Sequence, residues 1–189
     1  MKLLIDLDSV TADFWEHLLN YHNNKFNENL TIDDIYTYDL LSNIKSEYHN
    51  DITLFMNGAD FFYNLPVIAD SVTVTQSLLK KGHKILFVTA TPAASPTAYF
   101  DKIRWVDKWF PHIGKRKLIS AYEKFEVKGD LLFDDSPYNI VDFGGITVAM
   151  DYKYNRKIVP SFRVNTWNEF EKIVDLVSSI DYINNESGK

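Results

Sequence analysis

Short apolar runs alternate along this chain with longer stretches of helical periodicity. The first run, Leu3-Leu4-Ile5, is too short for a buried helix, and residues 2–6 read as a strand. A helix is expected over residues 10–24, with Phe14, Leu18 and Tyr21 on one face. Residues 25–65 carry no strand pattern and read as short helices joined by Asn- and Asp-rich turns, with Thr31 and Asp34 as a start signal. They end in Phe61-Phe62-Tyr63, just before Leu65-Pro66. Helical periodicity returns over residues 69–81 and Gly82 fits the stop. Residues 84–88 form a second apolar run that closes in Thr89-Ala90-Thr91-Pro92. Ser95-Pro96 reads as an N-cap followed by proline at the first helical position. That helix runs to about Phe110 along a stripe of Phe100, Ile103, Val106 and Phe110. Further strands are expected at residues 117–120, 131–133, 146–150 and 162–164. Thr166-Trp167-Asn168-Glu169 reads as a capping box for a last helix that turns Phe170, Ile173, Val174 and Val177 inward. Its end is expected to fray from about Asn184.

Strands that alternate with helices define an α/β class with a mainly parallel sheet. In such sheets, ligands sit beyond the carboxyl ends of the strands. The polar groups of this chain fall there repeatedly: Asp6 and Asp8 after the first strand, Thr89 after the second, Asp134 and Asp135 after the fourth.

Composition narrows the function more than the fold. With 189 residues, 46% apolar and 15% aromatic, the chain can bury a substantial core. A net charge of −6 disfavours polymeric nucleic acid as a partner, although a local metal and one or two lysines still suit a small anion. The absence of cysteine excludes disulfides, thiolate metal sites and a cysteine nucleophile. No signal peptide or membrane-length apolar stretch is present, so a soluble, cytoplasmic protein without a membrane partner is expected. Oligomeric state is open, and a homodimer is compatible with the composition.

Two carboxylates one residue apart at the end of a buried strand are costly unless a cation or a reaction needs them. Phosphoryl transfer is such a reaction. Asp6 would attack phosphorus and Asp8 would move the proton. A carboxylate approaching a phosphate monoester meets strong like-charge repulsion, which an oxygen-bound Mg²⁺ relieves. Asp6 and Asp135 are natural ligands, with a backbone carbonyl near Asp8 as another. Thr89, the backbone N–H at Ala90, and Lys124 would hold the phosphoryl oxygens.

These residues resemble the four motifs of the haloacid-dehalogenase superfamily of phosphatases. Asp6-Leu7-Asp8-Ser9-Val10 is the first, Thr89 the second, Lys124 the third and Asp134-Asp135 the fourth. More closely, the chain is similar to the 5′(3′)-deoxyribonucleotidases across residues 2–175. The similarity lies in residues 6–14, Phe61-Phe62-Tyr63, residues 89–92, 102–110 and 124–135. The resemblance implies a Rossmann-like three-layer sandwich, with residues 1–16 and 70–189 as the phosphatase core and residues 17–69 as a small helical cap. It implies Asp6 as nucleophile, Asp8 as acid and then base, and Mg²⁺ at Asp6, Asp8 and Asp135 with support from Asp134. Thr89 and Lys124 would bind phosphate, and Phe14, Phe61 and Phe62 would enclose a small-molecule nucleotide. Three residues depart from the pattern: Ser9 where the branch commonly has glycine, Ala90-Thr91 in place of Ser-Pro, and Ser136 where animal relatives carry arginine.

Plainer readings stand beside these. Asp134-Asp135 also suits a helix cap, Lys117 and Lys128 lie near Lys124, and the Phe61-Phe62-Tyr63 run suits core packing. The five histidines show no ligand spacing, and Trp105 and Trp109 suit helix packing. The same hydrolase chemistry on a sugar phosphate or phosphoglycolate remains open. So does a silent nucleotide-binding module, against which Asp8 argues, because binding alone needs no second acid.

Overall fold

The computed structural model describes residues 1–187, with side chains described through Ile180. Six strands form one fully parallel sheet: β1 (Lys2–Ile5), β2 (Lys84–Thr89), β3 (Leu118–Ser120), β4 (Leu131–Asp134), β5 (Ile146–Met150) and β6 (Phe162–Val164). Their order is β3-β2-β1-β4-β5-β6. The centre is β1, with Leu3 aligned to Ile85 on one side and Leu131 on the other. Leu3, Leu4 and Ile5 are fully buried, as a strand covered on both faces requires.

Side-chain alternation divides this sheet into two unequal faces. On one, Leu3, Ile5, Phe87, Leu131 and Phe133 join the main core. Helices α3 (Ser71–Lys80), α4 (Ala98–Trp109) and α6 (Trp167–Ser187) are among the elements that contribute to that core. On the other, Leu4, Val88 and Leu132 meet Phe143, Phe125 and Val127, next to the short α5 (Pro137–Asp142). Between β1 and α3 the chain inserts α1 (Phe14–Phe26), three 3₁₀ turns and α2 (His49–Asn57). Tyr21 stacks on Phe55 and Phe26 on Tyr48 within this insert. Asn43 closes its outer loop, accepting from the backbone N–H groups of Tyr36 and Thr37 and donating to the carbonyls of Thr37 and Asp39.

Several elements differ from the sequence expectation. Helix α1 starts at Phe14 rather than residue 10, because residues 7–12 are tied into a tight loop. Thr11 and Ala12 both donate to the Leu7 carbonyl, and Ser9 has a φ of 62°. Asp13 then caps the helix by accepting from the Glu16 N–H at 2.9 Å. The face α1 buries is Trp15, Leu18, Leu19 and His22, rotated from the expected stripe. Helix α4 begins at Ala98, after Pro96. Of its expected stripe, Val106 and Phe110 are fully buried and Ile103 packs against the core, but Phe100 is 62% exposed, and Asp101, Lys102 and Trp105 are buried beside them. Asp101 has an inward partner, the Asp60 N–H at 3.0 Å. Trp105 donates to the Leu65 carbonyl, which is the packing role expected of it. Helix α6 continues to Ser187, past the point near Asn184 where fraying was expected, and Gly188 and Lys189 lie outside the described residues.

Candidate active site

The sheet reverses direction of growth at β1 and β4, so a crevice opens beyond their carboxyl ends. Asp6 leaves β1 there, its N–H donating to the Phe133 carbonyl at 2.9 Å. Asp134 ends β4 and Asp135 follows it. Oxygens of Asp6, Asp134 and Asp135 all lie within 4.8 Å of one another.

Each carboxylate has a different set of partners. Asp134 is fully buried; it accepts from Lys124 Nζ at 2.8 Å and from the Ser136 N–H at 2.9 Å. Both its oxygens are engaged, so it anchors Lys124. Lys124 sits on a 3₁₀ turn after β3, with Nζ also 2.7 Å from Asp6 Oδ1. Burial opposes its charge, but Asp134 and Asp6 together hold its ammonium above the usual lysine range. Asp135 accepts from the Tyr154 hydroxyl, and the Asn155 side chain holds its carbonyl at 2.9 Å. Asp8 projects from the loop after β1 and pairs with Lys102 Nζ at 2.5 Å through Oδ2; its Oδ1 has no partner. Thr89 ends β2, wholly buried, with its hydroxyl 2.7 Å from the same Lys102 Nζ.

Burial pushes the Asp6 carboxyl up to about 6, against the pull of Lys124. It also pushes Asp8 up, against Lys102. Asp135 is driven well above the carboxylate range by burial and by the neighbouring Asp134 and Asp6. Four carboxylates thus face two ammonium groups, which leaves the charge deficit that one divalent cation fills. The donor set fits Mg²⁺: Asp6 and Asp135 supply hard carboxylate oxygens, while Asp134 is already engaged with Lys124.

A cavity of about 500 Å³ opens over these groups, with Asp6, Asp8, Lys124 and Asp135 in its lining. Its apolar wall includes Phe14, Phe62, Met56, Leu40, Tyr38 and Tyr138. Ala90 also lines it. Phe61 stands behind this wall rather than on it, its ring 4.9 Å from Phe62 and 5.8 Å from Phe14. Thr89 and Asp134 likewise stand behind the lining. Sequence reasoning missed Lys102, Tyr154 and Tyr38. Lys102 had a legible signal, a lysine in register with Ala98, Trp105 and Val106 on the buried face of a helix. Tyr154, on a 3₁₀ turn after β5, and Tyr38, at the loop that Asn43 ties, had none.

A parallel sheet with a helical insert after β1 and aspartates at the ends of β1 and β4 defines a haloacid-dehalogenase-like hydrolase. Solved structures agree on the fold. A haloacid-dehalogenase-like protein of Agrobacterium tumefaciens superposes with a TM-score of 0.65 at 7% identity, covering 94% of this chain and 98% of that one. A Deinococcus radiodurans family hydrolase, solved with bound phosphate and sodium, gives 0.61 at 10% identity, covering 89% and 92%. A Bacillus subtilis hydrolase bound to magnesium gives 0.57 at 17%, covering 91% and 97%. Within this class, the chain belongs to the family of the cytosolic type C 5′-nucleotidases (deoxy, pyrimidine), which matches residues 1–180. Its members are phosphoric monoester hydrolases. The 5′(3′)-deoxyribonucleotidase of Bacillus subtilis is 29% identical over 170 residues, 90% of this chain and 96% of that protein. The Clostridium acetobutylicum enzyme of the same description is 25% identical over 171 residues, 90% and 93% of the two chains. Among the described residues, no helix is long and apolar enough to cross a membrane.

Proposed function

We propose that this protein removes phosphate from deoxyribonucleoside monophosphates, with Mg²⁺ held by Asp6, Asp135 and the backbone at Asp8. Residues 17–69 serve as the cap over a core of residues 1–16 and 70–189. The reaction runs in two steps. An oxygen of Asp6 attacks phosphorus as the P–O ester bond breaks, and Asp8 gives its proton to the departing oxygen, which leaves as the nucleoside hydroxyl. Water then attacks phosphorus, Asp8 takes its proton, and the Asp6 carboxylate is released with inorganic phosphate. The metal, when bound, offsets the charge between carboxylate and phosphate. Lys124 and the Ala90 N–H hold the phosphoryl oxygens in both steps, and Thr89 supports them from behind. Phe14, Phe62 and Tyr38 wall the nucleoside, with Phe61 buttressing the first two.

The observation that carries the reading is Asp8. It lines the cavity beside Asp6 and keeps one oxygen free of any partner. A module that only bound nucleotide would have no need of it. The test is a panel of deoxyribo- and ribonucleoside 5′- and 3′-monophosphates, sugar phosphates and phosphoglycolate, read as free phosphate with Mg²⁺ and with EDTA. Turnover is expected on the deoxyribonucleotides and is expected to stop in EDTA. Turnover confined to sugar phosphates or phosphoglycolate would overturn the substrate assignment, and full activity in EDTA would overturn the metal.

A further inference from the structure

The mechanism above uses one buried lysine and leaves another without a role. Lys102 is 1% exposed, deep on the inner face of α4. Its three N–H bonds all have acceptors: Asp8 Oδ2 at 2.5 Å, Thr89 Oγ1 at 2.7 Å and the Ala90 carbonyl at 2.8 Å. The Phe62 ring lies against Nζ at 4.6 Å to its centroid. Desolvating an ammonium costs several kcal/mol, so a buried lysine needs close, well-directed partners. Here two of the three partners are groups already assigned to the reaction.

Lys102 does not line the cavity, whereas Lys124 does. An ammonium behind the wall, with all its donors engaged, is poorly placed to bind the phosphate directly. What it touches is the carboxyl that moves the proton, and it touches only one of that carboxyl's two oxygens. The Asp8 side chain comes from a loop rather than a strand, and its Oδ1 has no partner to hold it. Without Lys102, nothing but its own rotamer preference would fix it.

We propose that Lys102 is a positioning residue for proton transfer. It grips Asp8 Oδ2 and thereby fixes the orientation of the carboxyl that gives the proton to the departing ester oxygen and later takes one from water. This rests on the reading of Asp8 as the acid and base. Through Phe62, packed on the same ammonium, the orientation of Asp8 is tied to the wall that meets the nucleoside.

Positioning an acid has a signature that a structural role lacks. Protonation matters most where the departing oxygen is strongly basic, as in a nucleoside or alkyl ester, and little where it is a nitrophenolate. The experiment measures kcat/KM for wild type, Lys102→Met and Asp8→Asn over a series running from 2,4-dinitrophenyl and 4-nitrophenyl phosphate to phenyl, alkyl and deoxyribonucleoside phosphates. General acid catalysis contributes about 10²–10⁴-fold. Lys102→Met should therefore lose about 10–100-fold on the nucleotide and alkyl esters and less than about threefold on the dinitrophenyl ester. Asp8→Asn should show the same steepening, larger. Lys102→Gln, a neutral donor, is read on the same series should the Met variant fold poorly, and should give an intermediate slope. An equal loss across the series in the Lys102 variants, with Asp8→Asn still steep, would overturn the proposal alone. A flat series in Asp8→Asn would instead overturn the underlying role of Asp8.

Discussion

Replacing Lys124 with methionine should make the stability of the metal-free protein depend on pH in a way the wild type's does not. Lys124 is the ammonium between Asp6 and Asp134, at 2.7 Å and 2.8 Å, with all three side chains almost wholly buried. Breaking a buried pair by removing one partner costs about 3–5 kcal/mol, because the remaining charges are left uncompensated. The fold limits that loss by taking up a proton. In the wild type, Asp6 is already held up to about 6 by burial even with Lys124 beside it, and losing the ammonium raises it further. A carboxyl raised in the folded state binds a proton that the unfolded chain has released, so stability falls as pH rises through that window. For wild type the Asp6 contribution is complete by about pH 6, whereas in Lys124→Met the fall continues above it. Each pH unit is worth about 1.4 kcal/mol per proton, so the penalty should grow by up to about 2.7 kcal/mol between pH 6 and pH 8. Lys124 itself stays charged throughout, since its partners raise it above the usual lysine range. Urea unfolding in EDTA, followed by tryptophan fluorescence at pH 5, 6, 7 and 8, measures the difference directly. A penalty that is the same at every pH, or below about 1 kcal/mol at pH 8, would refute the charge accounting of the site.

Two further variants probe other parts of the site. Phe14→Ala removes a ring from the cavity wall, and losing about 1.5–3 kcal/mol of apolar contact should raise KM for deoxyribonucleotides about tenfold or more while leaving 4-nitrophenyl phosphate nearly unchanged; equal changes on both would place the base elsewhere. Tyr154→Phe removes the hydroxyl that donates to Asp135, and should raise the Mg²⁺ concentration for half-maximal activity about 10–100-fold with kcat at saturating metal largely kept; an unmoved metal titration would show that Tyr154 does not orient that carboxyl.

The strand-end residues were legible because strand and site share one cause. A parallel sheet gathers whatever follows its central strands, so Asp6, Asp134 and Asp135 declare themselves by following apolar runs. The same logic located all six strands to within a residue. Helix phase was harder. In α4 the expected stripe holds at Val106 and Phe110 but fails at Phe100, which is exposed, because hydrophobicity alone sets the expected stripe. What turns Asp101 and Lys102 inward is a set of polar partners, Asp8, Thr89 and the Asp60 N–H, contributed by three distant segments. Ser9 is a similar case. Its departure from the usual glycine was visible in the sequence, but its left-handed φ of 62° required the closed loop over residues 7–12 to be seen. Phe61 and Phe62 are neighbours of one kind whose roles separate only in three dimensions, one on the cavity wall and one behind it. Tyr154 and Tyr38 reach the site from a turn after β5 and from the insert, and no local pattern marks either.

The central claim is that Asp6 carries the phosphoryl group between substrate and water. Rapid acid quench of the enzyme turning over a ³²P-labelled deoxyribonucleoside monophosphate, followed by peptide mapping, tests it most directly. The label is expected on the peptide containing Asp6, and both label and turnover should vanish in a folded Asp6→Asn variant. Retained turnover in that variant, or label on any other residue, would contradict the account.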